Sequence, residues 1–335
     1  MKDYYRDGMI GLITGDAVGM PVQFQGRNVR KKDPVTDMRD HGCFNMPRGA
    51  WTDDSSLALA TLYSIRKQGS LDLDDIAGKF VLWLKDGYFT PHGRAYDIGM
   101  GCMMAIKRYI YKGDVYSCGG SSERDNGNGS LMRILPVCIY AYEQYSDGII
   151  DIDGAVKHVE DVSALTHAHA VAKMACGIYF FLVKSLMECR AASDVLSGGD
   201  VSLKDLLFRG ITEAQDYYAQ DISKQAWLSV FGRLFDTGSL IDLNEDEINS
   251  SGYVIDSIEA AVWSLLNTEN YRDCILKAVN LGGDTDSIAA IAGGLAGLYY
   301  GYDGIPADWS DSLMRKKWID ELCDFSFPIS EVENR

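Results

Sequence analysis

Apolar residues along this chain recur mostly at helical spacing, and period-2 alternation is scarce. The segment Leu73–Asp86 puts Ile76, Phe80, Val81 and Leu84 on one face. Asp72 or Asp74 is available to cap its start, and Gly87 follows its end. Leu203–Gln220 reads the same way, opened by Ser202 with Asp205 three residues on. Val162–Met187, Ser257–Leu266 and Tyr271–Asn280 also predict helices. The runs after Ser55 and after Ser287 are apolar on nearly every side and predict central helices. The pattern predicts an all-α fold of roughly a dozen or more helices packed around those central ones. Asp194–Ser202 and Ser239–Gly252 are polar, rich in glycine and serine, and predict surface loops. The strongest chemical motifs lie on opposite sides of both loops, so residues 1–335 are read as one domain whose two ends meet in space.

Composition narrows the classes. The 335 residues suffice for a sizeable core, and 47% hydrophobic with 24% charged residues excludes wholesale disorder. A formal charge of −16 disfavours nucleic acid and anionic membrane as partners. The N-terminus lacks a basic, then apolar, signal pattern. The most apolar stretches, Ile178–Val183 and Ile288–Tyr300, are too short to span a bilayer. Eight cysteines lie no closer than 13 residues apart, which leaves no Cys-x-x-Cys motif and predicts buried reduced thiols in a cytoplasmic protein.

Two acidic motifs change the picture. Trp51-Thr52-Asp53-Asp54-Ser55 opens one apolar helix, and Gly282-Gly283-Asp284-Thr285-Asp286-Ser287 opens another. Either alone reads as an N-cap, where Thr and Asp suit the positive end of a helix. Two such motifs, each on a core helix, predict four carboxylates meeting at one point. Buried without counter-charge they would be prohibitively costly. Neither motif contains Lys or Arg, and two divalent cations would cancel four carboxylates. All-oxygen ligands suit Mg²⁺, Mn²⁺ or Ca²⁺ rather than zinc.

The remaining signals are weaker alone. Asp125-Asn126-Gly127-Asn128-Gly129-Ser130 leads into an apolar run and can turn backbone N–H groups toward phosphate oxygens, or serve as a plain surface turn. Asp97-Ile98-Gly99-Met100-Gly101 is a similar loop. His167 and His169, two apart on an expected helix, diverge by about 200° and so do not share a metal.

In this order, together with Gly15-Asp16-Ala17-Val18-Gly19, Leu131-Met132-Arg133 and Thr166-His167, these motifs resemble the ADP-ribosylglycohydrolases from about residue 8 to residue 302. The resemblance implies a compact, many-helix orthogonal bundle and two Mg²⁺ or Mn²⁺ ions held by Thr52, Asp53, Asp54, Asp284, Asp286 and Ser287. It implies that Asp97 and Gly99 lie near the distal ribose and that Gly127, Asn128, Gly129, Ser130 and Met132 contact diphosphate and ribose. His167 would contact the nucleotide end, and Tyr253, after Gly252, would stack on adenine. Gln23 stands where many relatives carry glutamate, and a glutamine cannot be a general base. Ser55 and Ser287 replace common threonines, the latter keeping a ligating hydroxyl.

The implied reaction is hydrolysis at the anomeric carbon of an ADP-ribosyl group on a protein side chain, with Asp54 or Asp286 accepting the proton. Arginine is the favoured acceptor. A serine or small-molecule acceptor, and a catalytically silent ADP-ribose-binding paralogue, are the alternatives. The expected partners are ADP-ribosylated protein and ADP-ribose, bound by a monomer.

Overall fold

The structure, a computed structural model, describes residues 3–193 and 201–329. The chain runs through α1 (Tyr4–Gly19), α2 (Arg27–Lys32), α3 (Asp53–Gln68), α4 (Leu73–Asp86), α5 (Met100–Lys112), α6 (Leu135–Ser146), α7 (Ile152–Ala164), α8 (Ala170–Ser193) and α9 (Leu203–Ala219). It continues through the short α10 (Ile222–Gln225), α11 (Gly232–Phe235) and α12 (Thr237–Asp242), then α13 (Val254–Leu266), α14 (Tyr271–Asn280), α15 (Thr285–Tyr300), α16 (Ala307–Ser312) and α17 (Lys316–Cys323). Among the described residues there are no strands, only isolated bridges. The all-α expectation stands.

The helix ends follow the local chemistry. The Asp72 side chain accepts from Asp75 N at the start of α4, and Gly87 ends it in the left-handed region at φ 70°. Ser202 accepts from Asp205 N at the start of α9. Of the first expected loop, residues 194–200 lie outside the described residues. The second, Ser239–Gly252, is not simply a surface loop: it contains most of α12, and its end turns inward to the cleft described below.

The centre of the molecule is α1 lying on α15. Helices normally stand 8–10 Å apart because side chains separate them. Here the contact is backbone on backbone. A Cβ at Gly11 would fall 2.3 Å from the Gly293 carbonyl oxygen, one at Gly15 2.1 Å from that of Ala289, and one at Gly19 2.5 Å from Asp286 Cα. The Tyr271 hydroxyl donates to the Gly11 carbonyl at 2.6 Å, and Thr285 Oγ1 to that of Gly19 at 2.8 Å. Glycines four apart on one face therefore bring the start of α15 against the end of α1. Helix α3 is buried over Asp53–Ile65 and directs its own start at the same place.

Among the described residues one helix, Ala170–Ala191 of α8, is long and apolar enough to cross a membrane. Of its most apolar window 89% is buried inside the protein, which is what a core helix requires. The expected helix Val162–Met187 is broken in two: α7 ends at Ala164, and residues 165–169 form a turn. His167 and His169 therefore do not lie on helix. They still part company, His167 toward the cleft and His169 edge-on to Trp227 at 4.8 Å.

Candidate active site

Both acidic motifs do converge. Thr52 caps α3, its Oγ1 accepting from Asp54 N at 3.3 Å and donating to Asp54 Oδ2 at 3.0 Å. Asp284 stands at the N-cap position of α15 with no side-chain capping bond, after Gly282 and Gly283 at φ 72° and 76°. That left-handed pair is open to glycine at little cost and turns the chain sharply enough to present Asp284. Ser287 Oγ, one turn into α15, donates to Asp54 Oδ1 at 3.0 Å. Asp53, Asp54 and Asp286 are each 5% exposed or less.

Asp16, which the sequence reading left without a role, belongs to the same cluster. Carboxylate oxygens of Asp16, Asp54 and Asp286 all lie within 4.8 Å of one another. Asp16 Oδ2 accepts from Thr52 N at 3.0 Å, Ser55 N at 3.1 Å and Ser55 Oγ at 2.5 Å, so it ties α1 to the first turn of α3. The Ser55 hydroxyl is thus part of this tie, and serine keeps the donor that a threonine would offer there. Its signal in the sequence was Asp16 in the quoted glycine motif. Asp97, expected at a ribose, also faces the acids: it is among the charges that raise Asp53, Asp54 and Asp286.

The electrostatics are one-sided. Burial first, and neighbouring carboxylates second, push Asp53, Asp54 and Asp286 well above the usual carboxylate range. Burial pushes Asp16 up to about 7 against the pull of its hydrogen bonds. No basic side chain is among the largest influences on any of these four. Neither oxygen of Asp286 meets a donor in hydrogen-bond geometry, although the residue is fully buried; the neighbour close enough to share a proton with it is another acid, Asp97. Buried polar atoms are normally paired. Orphaned carboxylate oxygens, two hydroxyls and several more carboxylates make an all-oxygen donor set that fits a hard divalent cation.

Above the acids lies an open cleft of ≈ 250 Å³. Gln23, Asp53, Asp97, Gly99, Asp284 and Ser287 form its acid side. Gly127, Asn128, Gly129, Met132, His167 and Gly252 line the rest of it. Distant segments are stitched together beneath it. Asn128 N donates to Gly252 O at 2.9 Å and Val254 N to Asn126 O at 3.0 Å, while Asp284 N donates to Ser250 O at 2.9 Å. Gln23 Nε2 lies 3.4 Å from Asp284 Oδ1.

Two expected contacts, Asn128 and Ser130, sit differently. The Asn128 side chain donates to Asp284 Oδ2 at 2.6 Å, so it serves the acids, and its N–H is already committed to Gly252. Ser130 is fully buried behind the loop, its Oγ accepting from Ser163 Oγ at 2.9 Å, and does not line the cleft. Tyr253 is not a core residue: it is 40% exposed at the start of α13, beside the cleft residue Gly252. Phe24, not singled out in the sequence, lines the cleft and is 70% exposed.

A helical bundle whose two chain ends deliver aspartates to one glycine-walled cleft is a hydrolase-type site. The ADP-ribosylglycohydrolase family profile matches residues 1–334, and the chain belongs to that family of hydrolases. It is 30% identical over 332 residues to the ADP-ribosylarginine hydrolase Tri1 of Serratia proteamaculans (strain 568), covering 99% of this chain and 81% of that one. It is 28% identical to the ADP-ribosyl-[dinitrogen reductase] glycohydrolase of Rhodospirillum rubrum, covering 94% and 92% of the two chains. A solved structure titled ADP-ribosylglycohydrolase-related protein complex superposes with a TM-score of 0.71 at 26% identity over 96% of both chains.

Proposed function

We propose that this chain is a Mg²⁺-dependent ADP-ribosylhydrolase that frees ADP-ribose from a protein side chain, with arginine the favoured acceptor. The observation that carries the reading is Asp286, with two orphaned oxygens in a fully buried carboxylate cluster under an open cleft. The arginine preference is supported by similarity to proteins named ADP-ribosylarginine hydrolase.

Thr52, Asp53, Asp54, Asp284, Asp286 and Ser287 would hold the cations, two in number by charge balance. Bound Mg²⁺ would neutralise the acids and lower the pKa of a coordinated water. Asn128 and Gln23 orient Asp284. Gly99, through its N–H 3.5 Å from Asp53 Oδ2, steadies Asp53. Of the two candidate proton acceptors, Asp54 already accepts from Thr52 and Ser287, whereas no donor engages Asp286. Asp286 is therefore the less engaged of the two by hydrogen-bond donors. The wall of Gly127, Gly129, Met132 and His167 receives diphosphate and ribose, and the exposed Tyr253 ring receives adenine.

The test is a hydrolysis panel of arginine-, serine- and cysteine-linked ADP-ribosyl substrates, with Mg²⁺ or with chelator. The expected result is Mg²⁺-dependent release from the arginine linkage. Binding of ADP-ribose without release from any linkage would favour a silent paralogue instead.

A further inference from the structure

Arg133 lies outside the reaction just described, and its charge is deeply buried. It is fully buried, and among the described residues no carboxylate pairs with it. Its Nε and Nη1 have no hydrogen-bond partner. Its Nη2 donates to the Val162 carbonyl at 3.2 Å and to Thr166 Oγ1 at 2.8 Å, and its guanidinium carbon sits 4.6 Å from the centre of the Phe80 ring. An unpaired buried cation is costly, so its surroundings should reveal what it does.

Thr166 Oγ1 is 2.9 Å from His167 Nδ1. A hydroxyl has one hydrogen and two lone pairs. Arg133 occupies one lone pair. Either the hydroxyl donates to a bare Nδ1, or a protonated Nδ1 donates to the second lone pair and the hydroxyl hydrogen turns to the Cys102 sulfur. The guanidinium decides between them. A proton on Nδ1 would turn the positive edge of the ring toward the buried cation, across a single oxygen. A proton on Nε2 sits at the far end of the ring. That far end faces the cleft wall: a Cβ built at Gly101 would lie 2.9 Å from Nε2, and one at Gly127 3.5 Å away.

We propose that Arg133, acting through Thr166, fixes His167 as the neutral imidazole with its proton on Nε2, so that the cleft presents a permanent N–H donor to a ligand diphosphate. The ligand part of this proposal rests on reading the cleft as an ADP-ribose site. Arg133 and Thr166 are positioning residues; His167 makes the contact. Burial, with Arg133 second, holds His167 down to about 4 against the opposing pull of Asp125, so the ring is neutral and its tautomer decides whether it donates. Arg108, Arg124 and Asp125 share the outer recess with His167 and are the other charged groups facing it. In a site rich in carboxylates, a fixed donor on the wall, with a buried cation behind it, gives an anionic diphosphate a preferred side.

Two-bond proton–nitrogen NMR on histidine-labelled full-length protein reads the tautomer directly, with His167→Gln identifying the resonance. In ligand-free wild type at neutral pH, His167 should show a protonated Nε2 and a bare Nδ1. Thr166→Val is nearly isosteric and removes the hydroxyl. It should shift the ring toward the other tautomer and weaken ADP-ribose binding about tenfold by calorimetry, the scale of one lost charge-assisted hydrogen bond. Thr166→Ser keeps the hydroxyl and should restore both readouts. A wild-type ring protonated on Nδ1, or a folded Thr166→Val protein with unchanged tautomer and affinity, overturns the proposal. A correct tautomer in a protein that does not bind ADP-ribose overturns the ADP-ribose reading instead, so the two failures are distinguishable.

Discussion

Asp16 and Asp286 share one cluster but not one circumstance. Asp16 accepts from two backbone N–H groups and a hydroxyl, whereas no donor meets Asp286. The same substitution should therefore have opposite effects in metal-free protein. Asp16→Asn sets an amide NH₂ among those donors and should destabilise by about 1–3 kcal/mol. Asp286→Asn removes one like charge without breaking a hydrogen bond, so its metal-free form should melt at or above the wild-type temperature while hydrolysis is abolished. Thermal melts of both variants in chelator check the pair; destabilisation by both would show that Asp286 has an unseen partner. Tyr253→Ala should weaken ADP-ribose binding by roughly 1–3 kcal/mol, the worth of an aromatic stack on a base, without changing Mg²⁺ affinity. Calorimetry with each ligand measures this, and equal ADP-ribose affinity in a folded variant would return Tyr253 to the rim. The acids were legible because carboxylates without bases announce their cost in any sequence. Asp16 was not, because its role depends on where Thr52 and Ser55 lie, 36 and 39 residues away.

At the scale of elements, helices with local signals were readable. Leu73–Asp86 carries its own cap, apolar face and terminal glycine, and forms as expected. The break at 165–169 was not readable, since Leu165-Thr166-His167-Ala168-His169 contains neither Gly nor Pro. Tertiary partners hold it open: Gly120 N donates to Thr166 O at 3.0 Å, Ala168 N to Gly120 O at 2.7 Å, and Arg133 to the Thr166 hydroxyl. No window of local sequence contains those groups. The glycines of α1 are the converse case, since their spacing was visible but not their purpose. Gly15→Ala puts a methyl 2.1 Å from the Ala289 carbonyl oxygen, and backbone cannot step aside as a side chain would. The substitution should cost at least the ~1–3 kcal/mol of ordinary overpacking. Because α1 carries Asp16 and α15 carries Asp286, it should also weaken Mg²⁺ binding. Gly26→Ala, with nothing within 4 Å, is the matched control and should melt like wild type. Similar melts for both variants would mean that the two helices separate freely.

Across the whole molecule, the chain's ends were expected to meet because charge balance demanded it, and residues 16, 53, 54, 284 and 286 do come together. Asp97 and the Gly252 turn come from the middle of the chain, and no charge argument on the two motifs could have drawn them in. The converged cluster makes stability, protons and cations one linked quantity. In unfolded chain these aspartates titrate near pH ~3.9. Folded and metal-free, Asp16 titrates at about 7, and Asp53, Asp54 and Asp286 titrate well above their ordinary value. A folded pKa raised above the unfolded one contributes stability that is fully present below the unfolded pKa and is lost as pH rises through the folded pKa. Between pH 5 and 8, chelated protein should therefore melt at progressively lower temperature. Divalent cations take the place of those protons, and they bind the folded state by mass action, worth about 2.7 kcal/mol at a hundredfold excess over Kd. Since cations and protons compete for the same oxygens, the Mg²⁺-induced rise in Tm should be larger at pH 8 than at pH 6. Scanning calorimetry at both pH values, with chelator or with millimolar Mg²⁺, measures the two slopes. A metal-free Tm that climbs with pH, or a Mg²⁺ increment equal at both, would mean that the buried aspartates do not share their charge with a cation, and would return both acidic motifs to capping their helices.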